Sequence, residues 1–333
     1  MSALIEAGLL TSAEAATASV RDLSRAHPVW GVSLADGRRL VVKAPAPERG
    51  HDLGIECLVY RMAVWCEPVA AALPTPVLVD EDLHLLVLED AASASLAVRA
   101  GLPPQLGGAP VVVDPGWLTD AVASLGRTLG ALHRGTAGLP LPPARQPVAI
   151  MGFAGGGLPA GRAGTACAEY AADPIISAAA RSLAAPVAGC LVSHDMKWDN
   201  VIPCPGGRTL LLDWELAGLG DPAVDLGFLL SEHLVRDTLS DAALAPAPPA
   251  APALSPAAQA LLAGYAEAAR PRPQTAAVFA RRTVTAAGLR IAQLAVEIAD
   301  THPDQACRSL GDLARRTLLA TDDLTPEVLS CLH

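Results

Sequence analysis

Apolar positions along the chain follow two different rhythms. From residue 18 to about 90 they come in short runs: ASVRDLSR, VWGVSLADG and RRLVVKAP predict three strands. Ala-Asp-Gly at 35–37 predicts a two-residue hairpin turn of type I′, because Asp and Gly tolerate positive φ. Ahead of these strands, Leu4, Ile5, Leu9 and Leu10 predict one helix over 4–16. After them, Ile55, Leu58, Val59 and Met62 recur at helical spacing within 49–66, and Pro74 and Pro76 end that helix. PVLVDEDLHLLVLED reads as two more strands around an acidic turn.

Beyond residue 90 the helical rhythm takes over. GLPPQLGGAP is a loop, and Asp114-Pro115 supplies an N-cap and a first-turn proline. Leu118, Val122, Leu125, Leu129 and Leu132 then mark one face of a helix ending near His133. Residues 135–164 are rich in Gly and Pro and read as irregular, and a helix follows over about 165–184. VIPC and TLLLDW are short strands joined by Pro-Gly-Gly; after Asp225 the chain reads as helices, interrupted by a Pro/Ala segment. The expected architecture is α+β, with a small mostly β lobe over 1–90 and a larger mostly α lobe over 91–333. The cleft between two lobes is a common place for a ligand.

Composition narrows the function classes. A net charge of −10 over 333 residues opposes a nucleic-acid footprint, which needs a basic face. The seven cysteines form no C-x-x-C pair, so neither a zinc knuckle nor a disulfide scaffold is expected, and reduced thiols in a cytoplasm fit. The start, MSALIEAGLLTSAEA, carries Glu6 and lacks a basic region, unlike a signal peptide. The uncharged stretch 242–266 holds five prolines, and no apolar run is expected to span a bilayer.

The candidate chemistry lies in LVSHDMKWDN, residues 191–200, and in the hairpin that follows. That hairpin brings Asn200 and Asp213 side by side, and two such oxygen ligands with room for water and phosphates suit Mg²⁺. Asp195, just upstream, is placed to accept a proton from a hydroxyl attacking phosphorus. His194-Asp195 also raises a metal-phosphohydrolase reading, which needs further ligands, and only His233 follows closely. GFAGGGLPAGRAG at 152–164 lacks the Gly-Lys-Ser/Thr ending of a phosphate loop and reads as a flexible loop bordering the acceptor. His133 is expected to pack or cap a helix end, Asp221 and Asp225 to be structural, and Arg281, Arg282 and Arg290 to lie on a solvated helix face.

The spacing D-x-x-x-x-N, followed by a hairpin and Asp-Trp-Glu, resembles the protein-kinase-like fold in its aminoglycoside phosphotransferase and choline kinase branch. DWELAGLGDPAVDLGFLL continues the likeness, which spans roughly residues 15–235. It implies an ATP- and Mg²⁺-dependent phosphotransferase: Asp195 as base, Lys197 reaching the γ-phosphate, Asn200 and Asp213 holding the metal. It also implies Lys43 on the α/β-phosphates, Glu56 as its ion-pair partner, backbone near Glu89 at the adenine, and Asp225 bracing the catalytic loop. The pattern has His-Gly before the catalytic Asp, where this chain has Ser193-His194. Its nucleotide loop is Gly-rich, whereas SRAHPVWG has one Gly, leaving Ser24, Arg25 or backbone amides to cover the phosphates. LIEAGLL and SRAHPVW resemble a subgroup that phosphorylates peptide Ser or Thr in natural-product biosynthesis, where a partner lyase eliminates the phosphate. A small-molecule kinase for an antibiotic or metabolite, and a pseudokinase scaffold that binds a partner protein, are the alternatives.

Overall fold

The computed structural model describes residues 1–24, 28–45, 53–80, 82, 85–91, 94–100, 114–144, 161–185, 187, 189–242 and 253–333, with the side chains of 237–242 excepted. The expectations placed on Arg25, on GLPPQLGGAP, on most of GFAGGGLPAGRAG and on much of the Pro/Ala segment lie outside those residues.

The helix expected over 4–16 is two helices, α1 (Ser2–Glu6) and α2 (Ser12–Thr17). Gly8 at φ +69° breaks the first, and Thr11 starts the second with a capping box. The Thr11 Oγ1 accepts from the Glu14 N–H at 3.1 Å, while the Glu14 carboxylate accepts from the Thr11 N–H at 2.7 Å.

An antiparallel sheet follows, built from β1 (Ser19–Asp22), β2 (Val29–Ser33), β3 (Arg39–Lys43), β4 (Pro76–Asp80) and β5 (Leu85–Glu89) in the spatial order β1-β2-β3-β5-β4. The β2–β3 turn differs from the type I′ expectation. Only Gly37 has positive φ, at +91°, and the Leu34 and Arg38 backbones pair across a three-residue loop. The one left-handed residue falls where such a loop requires it. Alternation along β5 divides the apolar interior. Leu85 and Val87 face a small outer cluster with Leu4, Leu10, Val32, Leu40 and Val42. Leu86 and Leu88 face the main core, which continues into the helical part.

Helix α3 (Gly54–Met62) stops short of the expected residue 66, and α4 (Glu67–Ala72) restarts with Pro68 in its first turn. The remaining helices are α5 (Leu96–Arg99), α6 (Pro115–Thr136), α7 (Gly161–Ala172), α8 (Pro174–Leu183), α9 (Pro222–Ala242), α10 (Pro256–Ala269), α11 (Pro273–Glu297), α12 (Asp304–Leu319) and α13 (Thr321–Cys331). Asp114 caps α6 as expected. The single helix expected over 165–184 is α7 and α8, because Pro174 cannot continue a helix and Asp173 caps the new one. Two short antiparallel pairs carry the polar loop: β6 (Cys190–Val192) with β9 (Gly218–Gly220), and β7 (Val201–Pro203) with β8 (Thr209–Leu211). Among the described residues no helix is long and apolar enough to cross a membrane. The molecule is thus α+β, with a small sheet region first and a larger helical part after it.

Candidate active site

The loop 193–200 is held from below by one carboxylate. Asp225, on α9 and wholly buried, accepts from the Ser193 N–H at 2.7 Å and the His194 N–H at 2.8 Å. His133 approaches the same carboxylate, with Nε2 at 3.5 Å, and pairs with the Tyr265 hydroxyl through Nδ1 at 3.0 Å. His133 is therefore packed, as expected for a histidine late in α6.

The loop then turns sharply. His194 sits at φ 60°, a left-handed conformation that favours glycine. The kinase-like pattern has Gly at this place, and the backbone explains why. Room for the imidazole comes from Gly220, where a Cβ would lie 2.8 Å from His194 Nε2. The Ser193 hydroxyl accepts from the Asp195 N–H at 3.2 Å, so the loop gains a local tie where the pattern has histidine.

Asp195 is tied on three sides. Lys197 Nζ donates to its Oδ2 at 2.6 Å, and Asn200 Nδ2 donates to Oδ2 at 3.0 Å and to its backbone carbonyl at 2.9 Å. Asn200 thereby commits its amide nitrogen to Asp195, so its Oδ1 points elsewhere. The Leu212 N–H donates to the Asn200 carbonyl at 2.8 Å and brings Asp213 beside it. Asp213 also takes a left-handed backbone, φ 65°. Buried Trp214, with its Nε1–H on the Leu211 carbonyl at 3.2 Å, anchors the residue after it.

From the other side of the cleft, Lys43 Nζ donates to Glu56 Oε1 at 2.8 Å and to Asp213 Oδ1 at 3.2 Å. Lys43 lies on β3 and Glu56 on α3, so one bridge joins the sheet, its helix and the hairpin. All five residues line a cleft of about 760 Å³, together with Lys197 and Glu89. That volume lies in the range of small-molecule and cofactor sites. Ser24 is engaged elsewhere: its hydroxyl accepts from the Val29 N–H at 3.0 Å and closes the turn between β1 and β2. The N–H groups of Glu89 and Asp90 donate to the Thr75 and Arg39 carbonyls, which moves the next backbone position on the cleft wall to Ala91.

Electrostatics follow from crowding. Burial raises the Asp195 pKa, Lys197 and Arg290 pull it back, and Asp213 adds to the rise. Burial opposes the charge on Lys43, but Glu56 and Asp213 outweigh it and hold the ammonium above its ordinary value. Glu215 is pushed up to about 6 by burial and by the charges of Asp213, Asp195 and Glu56. Glu232, on α9, is pushed up to about 7 by burial, against the pull of Arg290 and a hydrogen bond from the Trp198 backbone.

The sequence did not single out Tyr60, Glu215 or Glu232, and Arg290 is a correction. It was assigned to a solvated helix face, yet it is 5% exposed, pairs with Glu297 at 2.9 Å and lies over the Phe228 ring. Arg282 likewise pairs with Asp221 at 2.6 Å, away from open solvent. His233 does not extend His194-Asp195 into a metal site. It packs edge-on against Trp198, and burial lowers its pKa to about 3. Among the described residues no group of three or more His, Cys, Asp or Glu side chains could hold a metal by itself. The Asn200 and Asp213 oxygens could supply two ligands, which would suit an ion completed by phosphate and water oxygens.

Comparison with known proteins shows the family and the fold. The family model described as "Phosphotransferase enzyme family" matches residues 23–272. No curated protein matches the chain. Solved structures share the fold. A choline/ethanolamine kinase family protein from Mesorhizobium loti has 16% identity and a TM-score of 0.56, over 99% of this chain and 98% of that one. The amicoumacin kinase hAmiN, in complex with AMP-PNP, Ca²⁺ and Ami, has 14% identity and a TM-score of 0.60, over 97% and 92%. The macrolide 2′-phosphotransferase MphH from Brachybacterium faecium has 20% identity and a TM-score of 0.51, over 90% and 91%. The family match takes in Lys43, Glu56, Asp195, Asn200 and Asp213 together, and the chain belongs to the phosphotransferase enzyme family, as a kinase-fold phosphotransferase.

Proposed function

We propose that the protein transfers the γ-phosphoryl group of ATP to a hydroxyl, with Mg²⁺ as the metal. The convergence of Lys43, Glu56, Asp195, Asn200 and Asp213 on one cleft carries this reading. Phosphoryl transfer needs positioning and charge neutralisation more than covalent chemistry, and each side chain suits one of those tasks. Lys43 is a point charge for the phosphates, and Glu56 fixes it. Mg²⁺, held by Asp213 and Asn200, would neutralise the triphosphate. Asp195 orients the acceptor hydroxyl and takes its proton; Lys197, already on Asp195, swings to the γ-phosphate. Ala91 and the backbone near Glu89 face the adenine. The lobes divide near residue 90. Seven free cysteines suit a cytoplasmic, reducing setting.

For the acceptor we favour Ser or Thr of a precursor peptide, with a partner lyase downstream; the likeness of LIEAGLL and SRAHPVW to that subgroup supports it. A small-molecule acceptor is the second reading. Asp199, Glu215 and Glu232 gather around Asp195 and Lys197, which suits a cationic antibiotic or metabolite. The formed Lys43–Glu56 pair and the tied Asp195 argue against a pseudokinase scaffold. Mass spectrometry of ATP-dependent phosphate transfer to each acceptor class is the test. Asp195→Ala should lower turnover by about 10²–10⁴-fold with the melting temperature kept. Full turnover in that variant would remove Asp195 as the base.

A further inference from the structure

Tyr60 stands one helical turn after Glu56 on α3, so both side chains share a face. It is one of three tyrosines in the chain. Its side chain is 1% exposed and lines the cleft beside Lys43, Glu56 and Asp213. Yet its hydroxyl has no hydrogen-bond partner among the described residues. A buried hydroxyl is ordinarily paired, because stripping it of water without a partner is costly. Here the cost is borne on the wall of a cleft that Glu56 and Asp213 also line. A phenol is neutral near neutral pH, so the group is a donor.

Lys43 serves both carboxylates, Glu56 at 2.8 Å and Asp213 at 3.2 Å. A triphosphate beside Lys43 competes with Asp213 for the ammonium, while Glu56, the closer partner, keeps its share. We propose that the Tyr60 hydroxyl then takes the place of Lys43 as hydrogen-bond donor to the Asp213 carboxylate, and so sets its orientation toward the metal. Tyr60 is thus a positioning residue, unpaired at rest and paired when the nucleotide is bound. The inference rests on Asp213 being the metal ligand.

Tyr60→Phe isolates the point, since it removes only the hydroxyl. The ligand-free variant should melt at or above the wild-type temperature, because an unpaired buried group is lost. Its affinity for AMP-PNP, measured by calorimetry, should fall about ten-fold with Mg²⁺ and stay unchanged in EDTA. In an Asp213→Asn background the same substitution should add nothing. Unchanged affinity in Mg²⁺ would overturn the proposal, as would an equal loss with and without the metal, which would make Tyr60 a packing residue. Wild-type binding that ignores Mg²⁺ would instead overturn the assignment of Asp213, and the role of Tyr60 with it.

Discussion

His194 holds a left-handed backbone that costs a residue with a Cβ about 1–2 kcal/mol. Glycine avoids that cost but has more freedom to lose on folding, so His194→Gly should raise stability by up to about 1 kcal/mol. Thermal melting checks this, with phosphate transfer measured alongside and expected to persist; a lower melting temperature would mean that imidazole packing outweighs the strain. The Ser193-His194 pair therefore preserves the loop. Its tethers are the two backbone N–H hydrogen bonds to Asp225 and the one to the Ser193 hydroxyl, and none needs the usual histidine. That Asp195, Asn200 and Asp213 come together was legible in the sequence, because a short loop and a hairpin fix their approach. Arg290 was not. Its burial is decided by Phe228 on α9, a residue that no helical period connects to it; Glu297, further along α11 on the same face, supplies only the charge partner. Tyr60 could have been found, being one turn from Glu56, but only once Glu56 was placed.

Helices α6 and α10 meet backbone to backbone. A Cβ on Gly126 would lie 2.1 Å from the Leu261 carbonyl oxygen, and one on Gly264 would lie 2.2 Å from that of Ala123. Neither neighbour is a flexible side chain that can yield. Gly126→Ala should therefore destabilise by about 1–3 kcal/mol despite its better helix propensity, as denaturant unfolding would measure. A neutral result would mean that the two helices can separate freely. Helix α9 carries a second consequence through Glu232. Its carboxyl ionises near 7 when folded, against an ordinary 4.5. Between those values the folded state holds the extra proton, so its contribution is full below about pH 4.5 and is lost as pH rises to 7. Glu232→Gln should flatten the stability profile in that window; an unaltered slope would remove Glu232 as its source. At this scale the sequence predicted where helices exist better than where they stop. The run over 165–184 keeps its apolar spacing straight through Asp173-Pro174, and only the cap and the missing N–H divide it. Likewise, the spacing within 49–66 does not mark the break after Met62.

At the scale of the whole molecule, sheet and helices are joined by a continuous core and by the bridge Glu56–Lys43–Asp213. A ligand that bonds both sides should stabilise the folded chain as one unit. ATP with Mg²⁺ at a hundred times its dissociation constant should add about 2.7 kcal/mol, seen as one melting transition moved upward. ATP in EDTA should give a smaller shift, and equal shifts with and without metal would count against Asn200 and Asp213 as ligands. The order of sheet, helix, sheet and helices was legible because the change from short apolar runs to helical spacing near residue 90 marks it. The turn type at 35–37 was not, because Ala-Asp-Gly suits both a two-residue and a three-residue loop. One consequence comes from the alternation on β3. Val41 and Lys43 look into the cleft, while Leu40 and Val42 look outward onto Leu4 and Leu10. The first ten residues are thus a backing plate for the strand that carries Lys43. A change at Leu4, outside the cleft, should be felt as a loosened Lys43–Glu56 pair, and, where the proposed function holds, as weaker nucleotide binding.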